Sequence, residues 1–183
     1  GAIVAELAAA ASQWPPQVHF VGSHPLAGNE KKGPQHASDT LLHDRTVVIT
    51  PTPSSRPEDV QRLHAFWQSL GAKTVEMPAD EHDRALAATS HLPHLVAAAI
   101  AGATPERYVT LTAGGWQDTT RIAAGDPALW RQIMLANRDN LLAALAELST
   151  RLEAWRHALE AQDADELERL LTEAKRIRDA VGI

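Results

Sequence analysis

The chain has 183 residues and contains no cysteine, so neither disulfide bonds nor thiolate metal sites are available to it. It carries 17 lysines and arginines against 23 aspartates and glutamates, and the net charge of -6 predicts no nucleic-acid or membrane partner. The longest apolar run, residues 95–103, is too short to cross a bilayer. With 44% hydrophobic and 22% charged residues, these absences predict a globular, cytoplasmic protein.

A nucleotide-binding motif is also missing. No G-x-G-x-x-G follows a strand near the start, and the first dense glycines, in residues 22–33, have no helix directly behind them. These residues are therefore expected to lack the loop that cradles the diphosphate of a dinucleotide.

The first 79 residues show alternating helix and strand patterns. They predict a helix, two strands, a helix and a third strand, over residues 1–11, 18–21, 46–50, 55–70 and 73–77. Ser55 and Glu58 have the spacing of a capping box, and Gly71 is expected to end the second helix. Strand, strand, helix and strand follow each other in this way at the end of a doubly wound sheet.

Strand signals disappear from residue 80 onward. The pattern predicts a long helix over residues 81–102 that Pro93 disrupts, a second long helix with Asp126 as its N-cap, and a final helix over residues 164–181. Apolar residues in the second of these repeat at spacings of four and three: Leu141, Leu145, Leu148, Leu152, Trp155 and Leu159. The fold class is therefore predicted to be α/β followed by all-α, with a boundary between residues 79 and 80.

The stretch that carries the most polar chemistry is Gly22-Ser23-His24-Pro25-Leu26-Ala27-Gly28-Asn29-Glu30-Lys31-Lys32-Gly33. It follows a predicted strand, and strand ends are where α/β sheets place functional groups. A histidine titrates near neutral pH and is suited to proton transfer, which makes His24 the first candidate. A tight turn with a solvated histidine is the alternative.

Two further stretches carry related chemistry. One runs from Glu81-His82-Asp83 to Ser90-His91-Leu92-Pro93-His94, and the other is Gly114-Gly115-Trp116-Gln117-Asp118-Thr119-Thr120-Arg121-Ile122-Ala123, followed by Asp126-Pro127 and Trp130. Together with residues 22–33, and in this order, they resemble the prephenate dehydrogenases. These enzymes oxidise and decarboxylate prephenate to 4-hydroxyphenylpyruvate on the way to tyrosine.

The resemblance has implications for the fold and its partners. It implies that residues 1–79 are the C-terminal part of a Rossmann-type dinucleotide-binding domain and that residues 80–183 form an all-helical substrate and dimerisation domain. The implied cofactor is NAD or NADP, and the implied assembly is a homodimer. Because the family's phosphate loop lies upstream of the segment matching Gly1, we expect an N-terminally truncated chain that is inactive by itself.

The resemblance also assigns roles within residues 22–33. His24 matches the catalytic histidine, and Ser23, His24 and Pro25 fall on the nicotinamide side of the site. Asn29 stands where many relatives have a threonine or serine and would contact the substrate. Glu30 would belong to an ionic gate over the pocket, although a solvated loop carboxylate is the alternative.

The other substrate contacts implied by the resemblance are His94, Gly115, Arg121 and Trp130. Arg121 matches the arginine that grips a substrate carboxylate, a task suited to two parallel guanidinium donors. A salt bridge from Arg121 to Asp118 is the alternative.

His82, Asp83 and His91 are expected to support the site through hydrogen bonds. His91 and His94 with Asp83 also have the residue types of a metal site, but the spacing does not give a clear set of three ligands, and we predict no metal.

Two other functions stay open. The first is that of an arogenate dehydrogenase, which uses the amino analogue of prephenate. The second, from a different class, is that of a non-catalytic helical dimerisation module.

Overall fold

The computed structural model describes residues 1–28, 33, 35 and 37–182. They form two compact units, residues 1–141 and 142–183. An α/β part comes first and helices follow, which confirms the predicted fold class. The boundary expected between residues 79 and 80 stays a prediction.

The first unit contains a three-stranded sheet. Helix α1, Ala2–Ala10, precedes strands β1, Gly22–Pro25, and β2, Thr46–Thr50; helix α2, Pro57–Ser69, then leads to β3, Lys73–Glu76. Strand β2 lies in the centre, antiparallel to β1 and parallel to β3. Its β-branched run places Val47 and Ile49, both fully buried, on one face and Val48, 3% exposed, on the other, so burial on both faces makes β2 the core of the sheet.

Two local expectations in this part are wrong. The strand predicted over residues 18–21 lies four residues later, because Gly22 pairs with Thr50 and Pro25 with Val47, and this cross-strand register decides which residues are extended. The capping box is also wrong: Arg56 precedes α2, and the Ser55 hydroxyl accepts a hydrogen bond from the Thr52 amide at 2.9 Å. Gly71 ends the helix as predicted, with a φ of 81° that favours glycine.

A helical run of 25 residues follows the sheet. It consists of α3, Ala79–Leu86, a π-helical turn, Ala87–His91, and α4, Leu92–Ala103. The predicted disruption near Pro93 takes the form of this π turn, in which the Leu92 amide donates to the Ala87 carbonyl. The run is long and apolar enough to span a membrane, but a core helix passes the same test, and this run carries the buried His91 and His94.

Short helices complete the first unit. A 3₁₀ turn, Glu106–Leu111, precedes α5, Gly114–Thr120, a second 3₁₀ turn, Arg121–Ala124, and α6, Pro127–Ala136. The predicted N-cap is confirmed, since the Asp126 carboxylate accepts from the Leu129 amide at 2.8 Å.

The long helix predicted to continue from Asp126 is wrong. It breaks at Asn137, where φ is −118° and ψ is 31°, and α7, Arg138–Glu160, follows. The side chain of Asn137 forms hydrogen bonds to other elements of the first unit. Such long-range bonds cannot be predicted from helical periodicity.

The second unit contains the remainder of α7 and helix α8, Ala164–Asp179. The Asp163 carboxylate caps α8 by accepting from the Glu166 amide at 2.9 Å, and Gly182 follows the helix with a φ of 71°. Several apolar residues of these helices are more than half exposed: Leu142, Leu152, Leu159, Leu171 and Ile177.

Candidate active site

A cavity of about 430 Å³ lies in the first unit, within the range of small-ligand sites. One part of its wall is apolar: Ile3, Val4, Leu7, Phe20, Leu86 and Ile133. The rest carries polar groups: Ser23, His24, Thr50, His82, Asp83, His91 and Asn137. An apolar wall with a few convergent polar groups is suited to a small polar ligand that contains a ring.

His24 reaches this cavity from strand β1. It pairs with Val48 of the central strand, and its Nδ1 lies 2.8 Å from Nε2 of His82 in α3. His82 in turn places its Nδ1 2.9 Å from Oδ1 of Asp83. Folding therefore joins His24 to the adjacent pair His82 and Asp83, although 58 residues separate His24 from His82 in the chain.

The order of these contacts determines which ring nitrogens carry protons. The ionised Asp83 only accepts, so His82 donates from Nδ1 and, when neutral, keeps a lone pair on Nε2. That lone pair accepts from Nδ1 of His24. In the neutral ring of His24 the remaining lone pair is then on Nε2, which makes this atom the proton acceptor of the site.

Electrostatics keep this histidine neutral. His24 as a whole residue is exposed, but partial burial of its ring lowers its pKa; the neighbouring His82 and His91 lower it further, while Asp83 raises it. For Asp83, burial works to raise the pKa, but hydrogen bonds, among them the one from His82, outweigh it and the pKa lies below its usual value. A neutral histidine can accept a proton, and the ionised Asp83 orients His24 through His82.

His91 occupies another part of the wall. It is 8% exposed, and its Nδ1 lies 3.2 Å from the side-chain nitrogen of Asn137. The same nitrogen of Asn137 donates to the backbone carbonyl of Asp83 at 2.7 Å. Burial lowers the pKa of His91 as well, and although Asp83 raises it, the net shift is downward.

His94 lies one helical turn further along and packs on an aromatic ring. Its imidazole stacks on Trp130 with centroids 3.5 Å apart and planes inclined by 14°. Gly125 makes room for this stack, because a Cβ there would lie 2.5 Å from Trp130 Nε1 and 3.0 Å from His94 Cε1. Among the described residues, the buried Nδ1 of His94 has no hydrogen-bond partner, and burial lowers the pKa of this ring.

The remaining candidates lie elsewhere. Ser23 lines the cavity and accepts from Trp67 Nε1 at 3.2 Å, and Pro25 ends β1. Gly115 and Asp118 belong to α5, and Arg121 opens the 3₁₀ turn that packs against α4. His94, Gly115, Asp118, Arg121 and Trp130 are not among the residues that line the cavity.

Asn29 and Glu30 lie outside the described residues, so the contacts expected of them stay predictions. Within the described part of the chain, no group of three or more histidines and carboxylates is arranged to hold a metal ion. His91 and His94 instead bond to Asn137 and stack on Trp130, respectively.

Two residues of the site, Asn137 and Gly125, were not identified from the sequence. Asn137 interrupts a helical period with a side chain that is a poor helix former, and this was the available signal. Gly125 lies directly before the N-cap Asp126, and no sequence pattern indicates its role in packing.

Comparison with known proteins covers almost the whole chain. Residues 1–76 match the family model for the nucleotide-binding domain of prephenate dehydrogenase, and residues 78–173 match the model for its dimerization domain. Prephenate dehydrogenase of Bacillus subtilis is 35% identical over 92% of this chain, and cyclohexadienyl dehydrogenase of Zymomonas mobilis is 35% identical over 88%. The chain spans 47% and 58% of the lengths of these two relatives.

Solved structures lead to the same family. Prephenate dehydrogenase of Aquifex aeolicus, in complex with hydroxyphenyl propionate and NAD+, superposes with a TM-score of 0.82 and 33% identity, covering 88% of this chain and 59% of that one. Arogenate dehydrogenase of Synechocystis superposes with a TM-score of 0.79 and 30% identity, covering 94% and 64%. The chain therefore belongs to the prephenate dehydrogenase family.

Proposed function

We propose that this chain carries the substrate side of a cytoplasmic, NAD(P)-dependent dehydrogenase that oxidises and decarboxylates prephenate in tyrosine biosynthesis. The observation that carries the proposal is the series of contacts from Asp83 through His82 to His24 at the wall of the cavity. Held in one tautomer by a second histidine and a carboxylate, His24 is suited to act as a base at the cavity wall.

In the proposed reaction, Nε2 of His24 accepts the proton of the ring hydroxyl while hydride leaves the ring carbon that carries this hydroxyl. The nicotinamide ring, when bound, supplies the hydride acceptor. The bond from the ring to its carboxylate then breaks, the electron pair enters the ring, and carbon dioxide leaves. The proton returns from Nε2 to the phenolate oxygen of the aromatic product, so His24 ends the cycle neutral.

The substrate carboxylates need donors. We assign Arg121 to one of them, because its guanidinium offers two parallel N–H groups. We also assign to the substrate side His94, whose ring stacks on Trp130, together with Trp130 and Gly115, although none of the three lines the cavity beside His24. The substrate contact expected of Asn29 and the gate expected of Glu30 lie outside the described residues and stay predictions.

The described residues fit only one end of the cofactor. Ser23, His24 and Pro25 lie side by side on β1, and the apolar wall formed by Ile3, Val4 and neighbouring residues suits a flat ring. The Ser23 hydroxyl already accepts from Trp67, so its own hydrogen is available to a ligand. We assign these residues to the nicotinamide side of NAD or NADP.

A second candidate function is the oxidation of arogenate. The structural similarity to the Synechocystis enzyme supports it as directly as the similarity to the Aquifex aeolicus enzyme supports prephenate. The two substrates differ in one side-chain group, a carbonyl in prephenate and an ammonium in arogenate, so a direct competition assay separates them.

We propose further that the protein is a homodimer. The exposed face of α7 includes Leu152 and Leu159, which are 56% and 62% exposed, and Leu171 of α8 is 60% exposed. A second copy would cover such surfaces, and symmetric dimers are the commonest oligomers. The match to a dimerization domain supports the same assembly.

The experiment that tests the function uses the complete polypeptide, including any residues that precede Gly1. Purified protein is incubated with prephenate or arogenate and either NAD+ or NADP+, and absorbance of the reduced cofactor is followed with release of carbon dioxide. We expect one mole of carbon dioxide per mole of reduced cofactor. Arogenate turnover alone would replace the first candidate by the second, and no turnover of either would favour the non-catalytic module.

A further inference from the structure

We infer that Asn137 is a positioning residue that holds His91 as a neutral hydrogen-bond donor in the cavity, opposite in character to the acceptor His24. Asn137 lies at the break between α6 and α7 and is 7% exposed. The inference extends the proposed function by assigning a donor to the recognition of the substrate.

The orientation of the Asn137 amide follows from its partners. One of its side-chain atoms lies 2.7 Å from the backbone oxygen of Asp83, which only accepts, so this atom must be the NH₂ group. Its other side-chain atom lies 2.8 Å from the NH₂ group of Asn140 and is therefore the oxygen. Both ends of the amide are thus determined by chemistry.

The second hydrogen of the same NH₂ group is available to His91. The Nδ1 atom of His91 lies 3.2 Å away and accepts this hydrogen, so Nδ1 carries no proton. A neutral His91 then carries its proton on Nε2. Protonation of Nδ1 would set two donors against each other in a buried site, so the Asn137 amide opposes the imidazolium form.

This assignment gives the cavity one acceptor and one donor. His24 presents a lone pair and suits a hydroxyl group, whereas His91 presents an N–H and suits an oxygen that accepts, such as a carboxylate or carbonyl oxygen. Both residues line the same cavity. A ligand that carries a hydroxyl and an acceptor oxygen on one ring satisfies both at once.

Asn137 also connects the two histidines. By donating to the Asp83 carbonyl it holds the backbone of the residue whose carboxylate orients His82 and, through it, His24. The Asn137 amide therefore helps to fix the tautomers of both His91 and His24, and its removal is expected to affect both.

The first test measures the tautomer directly and needs no activity. In the chain labelled with ¹⁵N-histidine, nitrogen-detected correlation spectra at pH 7.5 distinguish the two ring nitrogens, and the His91→Gln variant assigns the signal. We expect a protonated Nε2 and an unprotonated Nδ1 for His91. A protonated Nδ1 or an imidazolium would overturn the inference, whether or not the protein oxidises prephenate.

Variants provide the second test. Asn137→Asp replaces the donor by an acceptor and should move the His91 proton to Nδ1, and Asn137→Ala should leave a mixture of tautomers if Asn137→Asp does not fold. Asn140→Ala is the matched control, since it removes a hydrogen bond from the same amide but keeps the NH₂ group. Unchanged His91 signals in a folded Asn137→Ala protein would refute the positioning role.

Kinetics of the complete polypeptide then separate this inference from the proposed function. Loss of the donor should lower kcat/KM for the substrate by about 10-fold, mostly through KM, while Asn140→Ala stays close to wild type. If wild-type protein turns over prephenate and Asn137→Ala has unchanged KM, the function stands and the donor role fails. If wild type shows no turnover, the spectra alone decide.

Discussion

The Nδ1 atom of His24 lies 2.8 Å from the Nε2 atom of His82, although 58 residues separate them in the chain. This contact joins the edge strand of the sheet to the helix that follows it. Because His82 donates to Asp83 from its other nitrogen, the contact also determines that the lone pair of neutral His24 lies on Nε2.

The first prediction concerns the base itself. His24→Asn should lower kcat of the complete polypeptide by about 10²–10⁴-fold, the usual contribution of a positioned acid or base, with little change in cofactor affinity. His19→Asn is the matched control, because His19 is exposed and does not line the cavity. Retention of kcat in His24→Asn within about threefold of wild type would contradict an acid–base role.

The second prediction concerns Asp83. Its carboxylate accepts from His82 and from the Ala2 amide, one oxygen for each, whereas an asparagine has only one oxygen to offer to both. Asp83→Asn should therefore lower kcat. The decrease should not exceed the factor of roughly 10²–10⁴ that a positioned base contributes.

Asp83→Asn should also move the acid limb of the kcat/KM profile to lower pH, because Asp83 raises the pKa of His24. Asp80→Asn, in the exposed pair with Arg84 on the same helix, is the matched control. An acid limb that moves to higher pH in Asp83→Asn would show that the carboxylate does not act on His24.

The third prediction concerns Arg121. Loss of a charge-assisted hydrogen bond costs about 1.5–3 kcal/mol, so Arg121→Gln should lower kcat/KM by roughly 10- to 150-fold, mostly through KM. Arg131→Gln, an exposed arginine of α6, serves as the control. Normal kinetics combined with a lowered Tm would identify a structural role for Arg121, such as the salt bridge to Asp118.

The fourth prediction concerns stability against pH. Burial lowers the pKa values of His24, His91 and His94, so between those values and about 6.5 the unfolded chain binds more protons than the folded one. The contribution of these rings to stability is therefore fully present above about pH 6.5 and is lost as pH falls through this window.

Thermal unfolding between pH 8 and 5.5 checks this pH dependence. The His94→Gln variant should show a smaller loss of Tm on acidification than wild type, because it lacks one buried neutral ring. His157→Gln, at an exposed position of α7, should behave like wild type. A Tm that rises on acidification would contradict the burial of neutral histidines.

The fifth prediction concerns assembly. Light scattering of the chain at micromolar concentration should give the mass of a dimer. Leu152→Glu combined with Leu159→Glu should give a monomer, because buried carboxylates would lack partners in an interface. Glu147→Lys, at an exposed polar position of α7, is the control. Dimers that persist in the double variant would show that this face of α7 is not the contact.

Much of the helical architecture was visible in the sequence because its signals are local. Asp126 caps α6 through an amide three residues away, and Gly71 adopts a left-handed conformation that only its own lack of a side chain permits cheaply. The β-branched residues 46–50 form the central strand as expected. Each of these features depends on residues within one or two turns of each other.

The candidate site was visible as a set of residues but not as an arrangement. His24, His82, Asp83 and His91 were identified from stretches that resemble the family, but the sequence alone did not show which of them bond. Nothing in the spacing of His24 and His82 indicates a hydrogen bond across 58 residues. His94 and Trp130 were identified as well, and their stacking depends on Gly125, which carries no chemical signal.

Local periodicity and short motifs were enough to predict most helices and strands, the available residue chemistry and the family. Long-range packing, in contrast, sets the start of β1 at Gly22, the helix break at Asn137, and the contacts by which one amide orients His91 while holding the Asp83 backbone. The physical reason is the same in each case. Cross-strand register and long-range side-chain hydrogen bonds have energies comparable to local propensities, and where they compete, the partner brought close by folding decides the outcome.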